Sequence, residues 1–244
     1  MAKKPDAVGD PVGYRRDNLE ADPPYLHPDL KATRLRAPQQ PLIPLRHTLS
    51  EITGPVYGNG VIGEFDHDLT RQHVGEPIGQ RITLSGRVLD GNGRPVRDAL
   101  LEVWQANAAG RYVHKWDTYD APVDPNFTGA GRCLTDGEGR YQFVTIKPGP
   151  YPFGNHHNAW RPAHVHFSVF GRAFVTRLVT QMYFPGDPLH DQDPVFNSLR
   201  DPKARQRLIC NFDLEKTVPD WANAYTFDIV LRGREATPIE DPSG

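Results

Sequence analysis

The sequence predicts an all-β protein: an antiparallel β-sandwich core, with a long irregular N-terminal arm and one short helix near the C-terminal part. Three observations predict it. Short runs that alternate apolar and polar residues recur from residue 80 onward, separated by Asp/Gly/Asn turns. The 24 prolines and 22 glycines among 244 residues suit many short strands and tight turns rather than a helical protein. Strand–helix alternation of the βαβ kind is absent, which argues against a parallel α/β sheet. All-β chains of roughly 200–250 residues often form one domain. The expected organisation is therefore an arm over 1–76 and a β-sandwich domain over 77–244.

The arm comes first. Pro23, Pro24, Pro28, Pro38, Pro41 and Pro44 oppose helix interiors and central strands. Tyr25, Leu30, Leu42, Ile43, Leu45 and Ile52 keep it apolar enough to lie on a surface, a partner's included. Within it, Gly58 to Gly63 formally matches GxGxxG. Gly54-Pro55 before the match and a charged loop after it deny the strand and helix that a dinucleotide site needs. Asp66-His67-Asp68 reads as a hydrogen-bonded loop rather than a cation site.

The sandwich follows. Arg81 to Leu89 alternates, Asp90-Gly91-Asn92-Gly93 turns, and Ala99 to Gln105 returns, which predicts a hairpin. Cys133-Leu134-Thr135, the turn Asp136 to Gly139, and Tyr141 to Val144 repeat the pattern. Further strands are expected over 163–170, Phe174 to Phe184, and Tyr225 to Leu231. Val195, Leu199, Leu208 and Ile209 mark one helix near Val195 to Cys210.

Composition excludes several classes. A net charge of −2 with scattered Lys and Arg offers no basic stripe for nucleic acid. No apolar run approaches the roughly 20 residues that span a bilayer, and the polar start is not a signal peptide. Two cysteines, Cys133 and Cys210, are no disulfide framework. A reducing cytoplasm is the expected setting, so the sequon at Asn126 is accidental.

The stretch Tyr151 to Phe167, YPFGNHHNAWRPAHVHF, carries the chemistry. On a strand, His164 and His166 face one side and aim two imidazoles at one point. Tyr151 in a Pro-Gly-Pro-Tyr-Pro turn, and Tyr112 in Gly-Arg-Tyr, would add two phenols. A trivalent hard cation stabilises phenolate strongly enough to displace its proton. Two phenolates and one hydroxide balance Fe(III), with two neutral imidazoles completing five-coordination. Each residue also has an ordinary alternative: a packed or hydrogen-bonded His pair, and turn or core-edge tyrosines with satisfied hydroxyls. His156 and His157, in a polar loop, read as solvated.

Several linked motifs then point the same way. Leu84 to Val88, Leu101 to Asn107, Gly110-Arg111-Tyr112, Lys147 to Pro152, Trp160 to Phe167, Tyr183 to Pro188 and Phe227 to Gly233 together resemble the intradiol ring-cleaving dioxygenases, and among them the β subunits of the protocatechuate-cleaving enzymes. The resemblance runs over nearly the whole chain. It implies a non-haem Fe(III) held by Tyr112, Tyr151, His164 and His166, with Tyr151 the ligand that departs and helps take a proton. It implies protocatechuate and O2 as substrates, 3-carboxy-cis,cis-muconate as product, and an α subunit that completes an αβ multimer. Arg161 and Gln181 match the family's polar active-site positions. Trp104 and Val195 match positions that wall the substrate ring. Two departures stand out: Phe153 where relatives carry tryptophan, and Leu30 where relatives can have a substrate-contacting tyrosine. Arg36 is then the arm's candidate partner for the substrate carboxylate. A catechol or hydroxyquinol dioxygenase is the enzyme alternative, and a non-catalytic transthyretin-like or carbohydrate-binding sandwich the alternative of another class.

Overall fold

Strand β1 (Arg81–Leu89) organises one half of the core in the structure, a computed structural model that describes residues 22–40, 62–154, 159–170 and 177–240. Its alternation buries Ile82, Leu84 and Val88 on one face. β2 spans Leu100–Trp104, β3 Ala130–Leu134, β4 Arg140–Ile146, and the two-residue strands β5 and β6 cover Tyr151–Pro152 and Trp160–Arg161. β7 (His164–Phe170), β8 (Arg177–Tyr183), β9 (Asn211–Val218), β10 (Ala222–Thr226) and β11 (Ile229–Val230) complete the set.

Two sheets face each other. In the first, β1 runs antiparallel to β4 and parallel to β10 and then β11, with β9 outside β10. The second has the antiparallel order β3-β2-β7-β8. The layers meet through Ile82, Leu84, Val88 and Phe143 on one side and Leu101, Val103, Val165, Phe167 and Val169 on the other, all in one buried cluster. Burying side chains of this size stabilises by roughly 1.5–3 kcal/mol each. Tyr141, Phe143 and Phe167 pack edge-on with centroids 5.8–6.4 Å apart.

Two sequence expectations change. β1 and β2 are not a hairpin: they lie in different sheets. The turn after Leu89 does pair briefly, with Val96 N donating to Val88 O and Asp90 N to Arg94 O, before the chain crosses to the other layer. The turn at Asp136 to Gly139 likewise connects β3 in one sheet to β4 in the other. A strand-turn-strand pattern does not say which partner a strand takes, and here the sandwich interior decides.

The helix expected near Val195 to Cys210 is broken up. A 3-10 turn covers Phe196–Ser198, and a short α-helix covers Pro202–Gln206. Pro202 cannot continue a preceding helix but suits the first helical turn, where Asp201 caps by accepting from Lys203 N at 2.9 Å. The strand expected over Tyr225 to Leu231 is divided between β10 and β11, and β9 has no counterpart in the sequence reading. Residues 174–176 of the expected Phe174–Phe184 strand lie outside the described residues, as do His156, His157 and most of the GxGxxG match. With the Lys31–Arg36 helix as α1, the Pro202–Gln206 helix is α2. α1 begins after Leu30, whose side chain is buried.

Gly86 shows how tightly the first sheet is drawn. A Cβ there would sit 1.9 Å from the Phe227 carbonyl oxygen, which also accepts from the buried Tyr141 hydroxyl. Among the described residues no helix is long and apolar enough to cross a membrane.

Candidate metal centre and active site

The face of β7 opposite the core carries the candidate site. Val165, Phe167 and Val169 point inward, so His164 and His166 point to the other side, where loops bury both. Register sets their neighbours. Trp104 on β2, His166 on β7 and Gln181 on β8 form one cross-strand row, and His164 faces Tyr183 in the next. Directly opposed residues share a face, so strand pairing alone assembles Trp104, both histidines, Gln181 and Tyr183. Trp104 stacks on His166 with centroids 4.7 Å apart and planes within 9°.

The tyrosines arrive on loops. Gly110, at φ +80, packs so closely on Pro150 that a Cβ would lie 2.2 Å from its carbonyl oxygen. That contact brings the Tyr112 loop against the Tyr151 segment. Asn107 shapes the loop by accepting from Ala109 N and Arg111 N and donating to Pro122 O, while Asp117 accepts from Tyr112 N at 2.7 Å. Tyr112 and Tyr151 then meet edge to face at 5.4 Å. Tyr151 on β5 pairs directly with Arg161 on β6.

Four donor groups converge. Tyr112 Oη lies 3.3 Å from His166 Nε2, and Tyr151 Oη lies 3.3 Å from His164 Nε2. The imidazole centroids are 4.9 Å apart. Both outward nitrogens are engaged: His164 Nδ1 with Pro162 O at 2.7 Å, and His166 Nδ1 with Glu240 Oε2 at 3.0 Å. Each acceptor requires a proton on Nδ1, which leaves each Nε2 lone pair turned toward the phenols. Burial, with Arg161 and His166 nearby, holds His164 well below the usual histidine range, so it is neutral. Burial and the adjacent Tyr151 push Tyr112 well above the usual phenol range, so only a strong cation would ionise it there. Among the described residues no group of three or more His, Cys, Asp or Glu could hold a metal, so a centre here depends on the tyrosines.

Beside the donors sits a buried guanidinium. Arg161 reaches Asp193 through Nε at 3.1 Å and Nη2 at 3.0 Å, and the same Nη2 contacts Tyr183 Oη and Gln181 Oε1. Its Nη1 points to Tyr151 Oη at 3.5 Å. Burial opposes the Arg161 charge, but Asp193 more than offsets it, and the group stays cationic. Gln181 Oε1 also accepts from Tyr183 Oη at 2.7 Å, while its buried Nε2 makes no hydrogen bond among the described residues. The Gln181 amide nevertheless lies near enough to Glu240 to help keep that carboxyl ionised: burial pushes it up, and His166 and these neighbours bring it below its usual range.

The remaining sequence candidates divide. Val195 is half-buried beyond the guanidinium network, its N–H donating to Asp193 Oδ1 at 3.0 Å. Phe153 has Arg161 Cζ 5.9 Å from its ring centre. Arg36 is exposed on α1, where its Nε donates to Ala32 O at 3.4 Å. Asp66 and Asp68 are hydrogen-bonded loop residues, accepting from Arg132 and Gly63 and from Thr70. The sequence reading missed Tyr183, Asp193 and Glu240. Tyr183 was open to discovery, because it falls two positions from Gln181 on one strand face. Asp193 and Glu240 sit in irregular segments whose folding carries no local signal.

A two-layer β-sandwich with paired histidines on an outer strand face, met there by two loop-borne tyrosines, defines a class, and comparison with known proteins agrees. A family model described as "Dioxygenase" matches residues 52–233, and one described as "Protocatechuate 3,4-dioxygenase beta subunit N terminal" matches residues 14–48. The chain belongs to the intradiol ring-cleaving dioxygenase family, and it is an enzyme of the oxidoreductase class. Within the family it is 60% identical to the protocatechuate 3,4-dioxygenase beta chain of Burkholderia cepacia, over 89% of this chain and 93% of that one. It is 32% identical to the protocatechuate 3,4-dioxygenase alpha chain of Pseudomonas putida, over 82% of this chain and 99% of that one. Among solved structures it resembles 3-chlorocatechol 1,2-dioxygenase from Rhodococcus opacus 1CP, with 27% identity, a TM-score of 0.50, and coverage of 75% of this chain and 72% of that one.

Proposed function

We propose that this chain is the iron-binding β-type subunit of a protocatechuate 3,4-dioxygenase, acting in the cytoplasm with an α-type chain in an αβ multimer. One observation carries the reading. Two phenol oxygens each lie 3.3 Å from an imidazole Nε2 whose ring partner nitrogen is occupied, so four donors are aimed at one another. Tyr112, Tyr151, His164 and His166 would hold a non-haem Fe(III). The donor set fits: phenolates match a hard trivalent ion, and His164 is already neutral. When bound, ferric iron draws electron density from a catecholate and so makes the ring reactive toward O2.

The protein's own groups do the rest. Trp104, flat against His166, presents an apolar wall at the site. Arg161, fixed by Asp193, places a permanent positive charge where negative charge develops on the substrate ring. Tyr151 Oη, beside Arg161 Nη1, is placed to accept a catechol proton and would be the donor that gives way to substrate. Gln181 Nε2 is a buried donor with no hydrogen bond among the described residues, available to a polar atom of substrate or oxygen. Val195 lines the far side of the ring, and Arg36 on the arm is the candidate for the substrate carboxylate. Protocatechuate and O2 together hold every atom of 3-carboxy-cis,cis-muconate, so no further reductant is needed. Residues 1–76 would serve subunit contacts, and residues 77–244 carry the iron.

Metal analysis of His164→Ala and His166→Ala, purified with the α-type chain, tests the ligand set. Iron content should fall well below one per αβ unit in each. Full occupancy in either variant would remove that histidine from the site.

A further inference from the structure

The last described residues form a strap that ends on a candidate ligand. Thr237 exchanges bonds with Val230, its N–H donating to Val230 O at 2.8 Å and its Oγ1 accepting from Val230 N at 3.0 Å. Pro238 O accepts from the buried Thr180 Oγ1 at 2.7 Å, Ile239 N donates to Asp22 Oδ1, and Glu240 N donates to Val179 O at 2.7 Å. Main-chain bonds thus pin the strap across β11 and β8. The Glu240 side chain is left to reach His166 Nδ1 at 3.0 Å.

The two histidines therefore differ. His164 Nδ1 faces a neutral carbonyl, Pro162 O, at 2.7 Å, whereas His166 Nδ1 faces a carboxylate. A carboxylate on the outer nitrogen fixes the tautomer and ring orientation and increases the basicity of the inner nitrogen more than a carbonyl does. His166 is also clamped from its face by Trp104.

We propose that Glu240 is a positioning residue for the metal centre: it locks His166 as the Nδ1–H tautomer and makes His166 the stronger of the two imidazole donors. The proposal rests on the ligand set proposed above. It also gives the C-terminal strap a function, since no other described residue supplies His166 with a carboxylate. The Glu240 carboxylate also adjoins Gln181.

The test compares wild type, Glu240→Gln and Glu240→Ala, each coexpressed with the α-type chain. Glutamine keeps an acceptor oxygen without the charge; alanine removes both, and in each the main-chain bonds of the strap remain. Two readouts apply: the position of the visible phenolate-to-iron band, and the rate of iron loss to a competing chelator. Alanine should speed iron loss about 10–100-fold, the usual effect of removing an outer partner of a metal-bound histidine. Both variants should move the band to longer wavelength, because a weaker imidazole donor leaves iron more electron-poor. A thermal melt guards against misfolding. Lower melting temperature with an unmoved band and unchanged iron loss would make the strap purely structural and overturn the proposal. A wild-type protein with neither iron nor band would overturn the ligand set, and this inference with it.

Discussion

Trp104 lies flat on His166, with ring centroids 4.7 Å apart and planes 9° from parallel, and the register of β2 with β7 places them opposite each other. The indole restrains one candidate ligand and faces the site at once. Trp104→Leu should lower kcat/KM about two- to thirteenfold, the loss of roughly 0.5–1.5 kcal/mol of aromatic packing. Steady-state kinetics with protocatechuate checks this; unchanged kcat/KM would make Trp104 a bystander.

Tyr151 is the donor nearest a positive charge, with Arg161 Nη1 3.5 Å from its hydroxyl. Tyr151→Phe should retain iron through the other three donors and slow turnover by about 10²-fold or more, in the range general acid–base groups contribute. Metal content and kcat measured on the same sample separate the two effects. Wild-type turnover would refute its role as the departing ligand.

The candidate donors were more legible in the sequence than the topology was. Alternation from His164 to Phe170 set both histidines on one face, whereas Gln181 came only from the family resemblance and its place beside His166 only from the strand register. Turn residues marked where strands end but not which sheet a strand joins, so β1–β2 read as a hairpin although the chain crosses the sandwich there. β9 escaped because Phe212 and Leu214 are exposed, giving no buried face to read. Glu240 lies 74 residues from the histidine it meets, a distance only folding closes.

One ion pair gives a pH signature distinct from catalysis. Asp66 joins Arg132 at 2.6 Å and accepts from Gly63 N, and these bonds hold its carboxyl below the usual range. A carboxyl depressed in the folded state adds stability above its unfolded pKa of about 3.9, and loses it as pH falls through the folded value. Both side chains are about a third exposed, so screening limits the gain to about 0.5–1 kcal/mol. Asp66→Asn should lower the unfolding free energy by that amount at pH 7, with the gap closing below pH ~4. A gap that stays constant down to acid unfolding would contradict the assignment.

The most direct measurement of the central claim is a visible spectrum of the protein purified with its α-type chain, taken without oxygen before and after protocatechuate is added. The account predicts a broad phenolate-to-Fe(III) band that shifts as the catecholate binds. An iron-replete but colourless protein, or a band indifferent to protocatechuate, would contradict it.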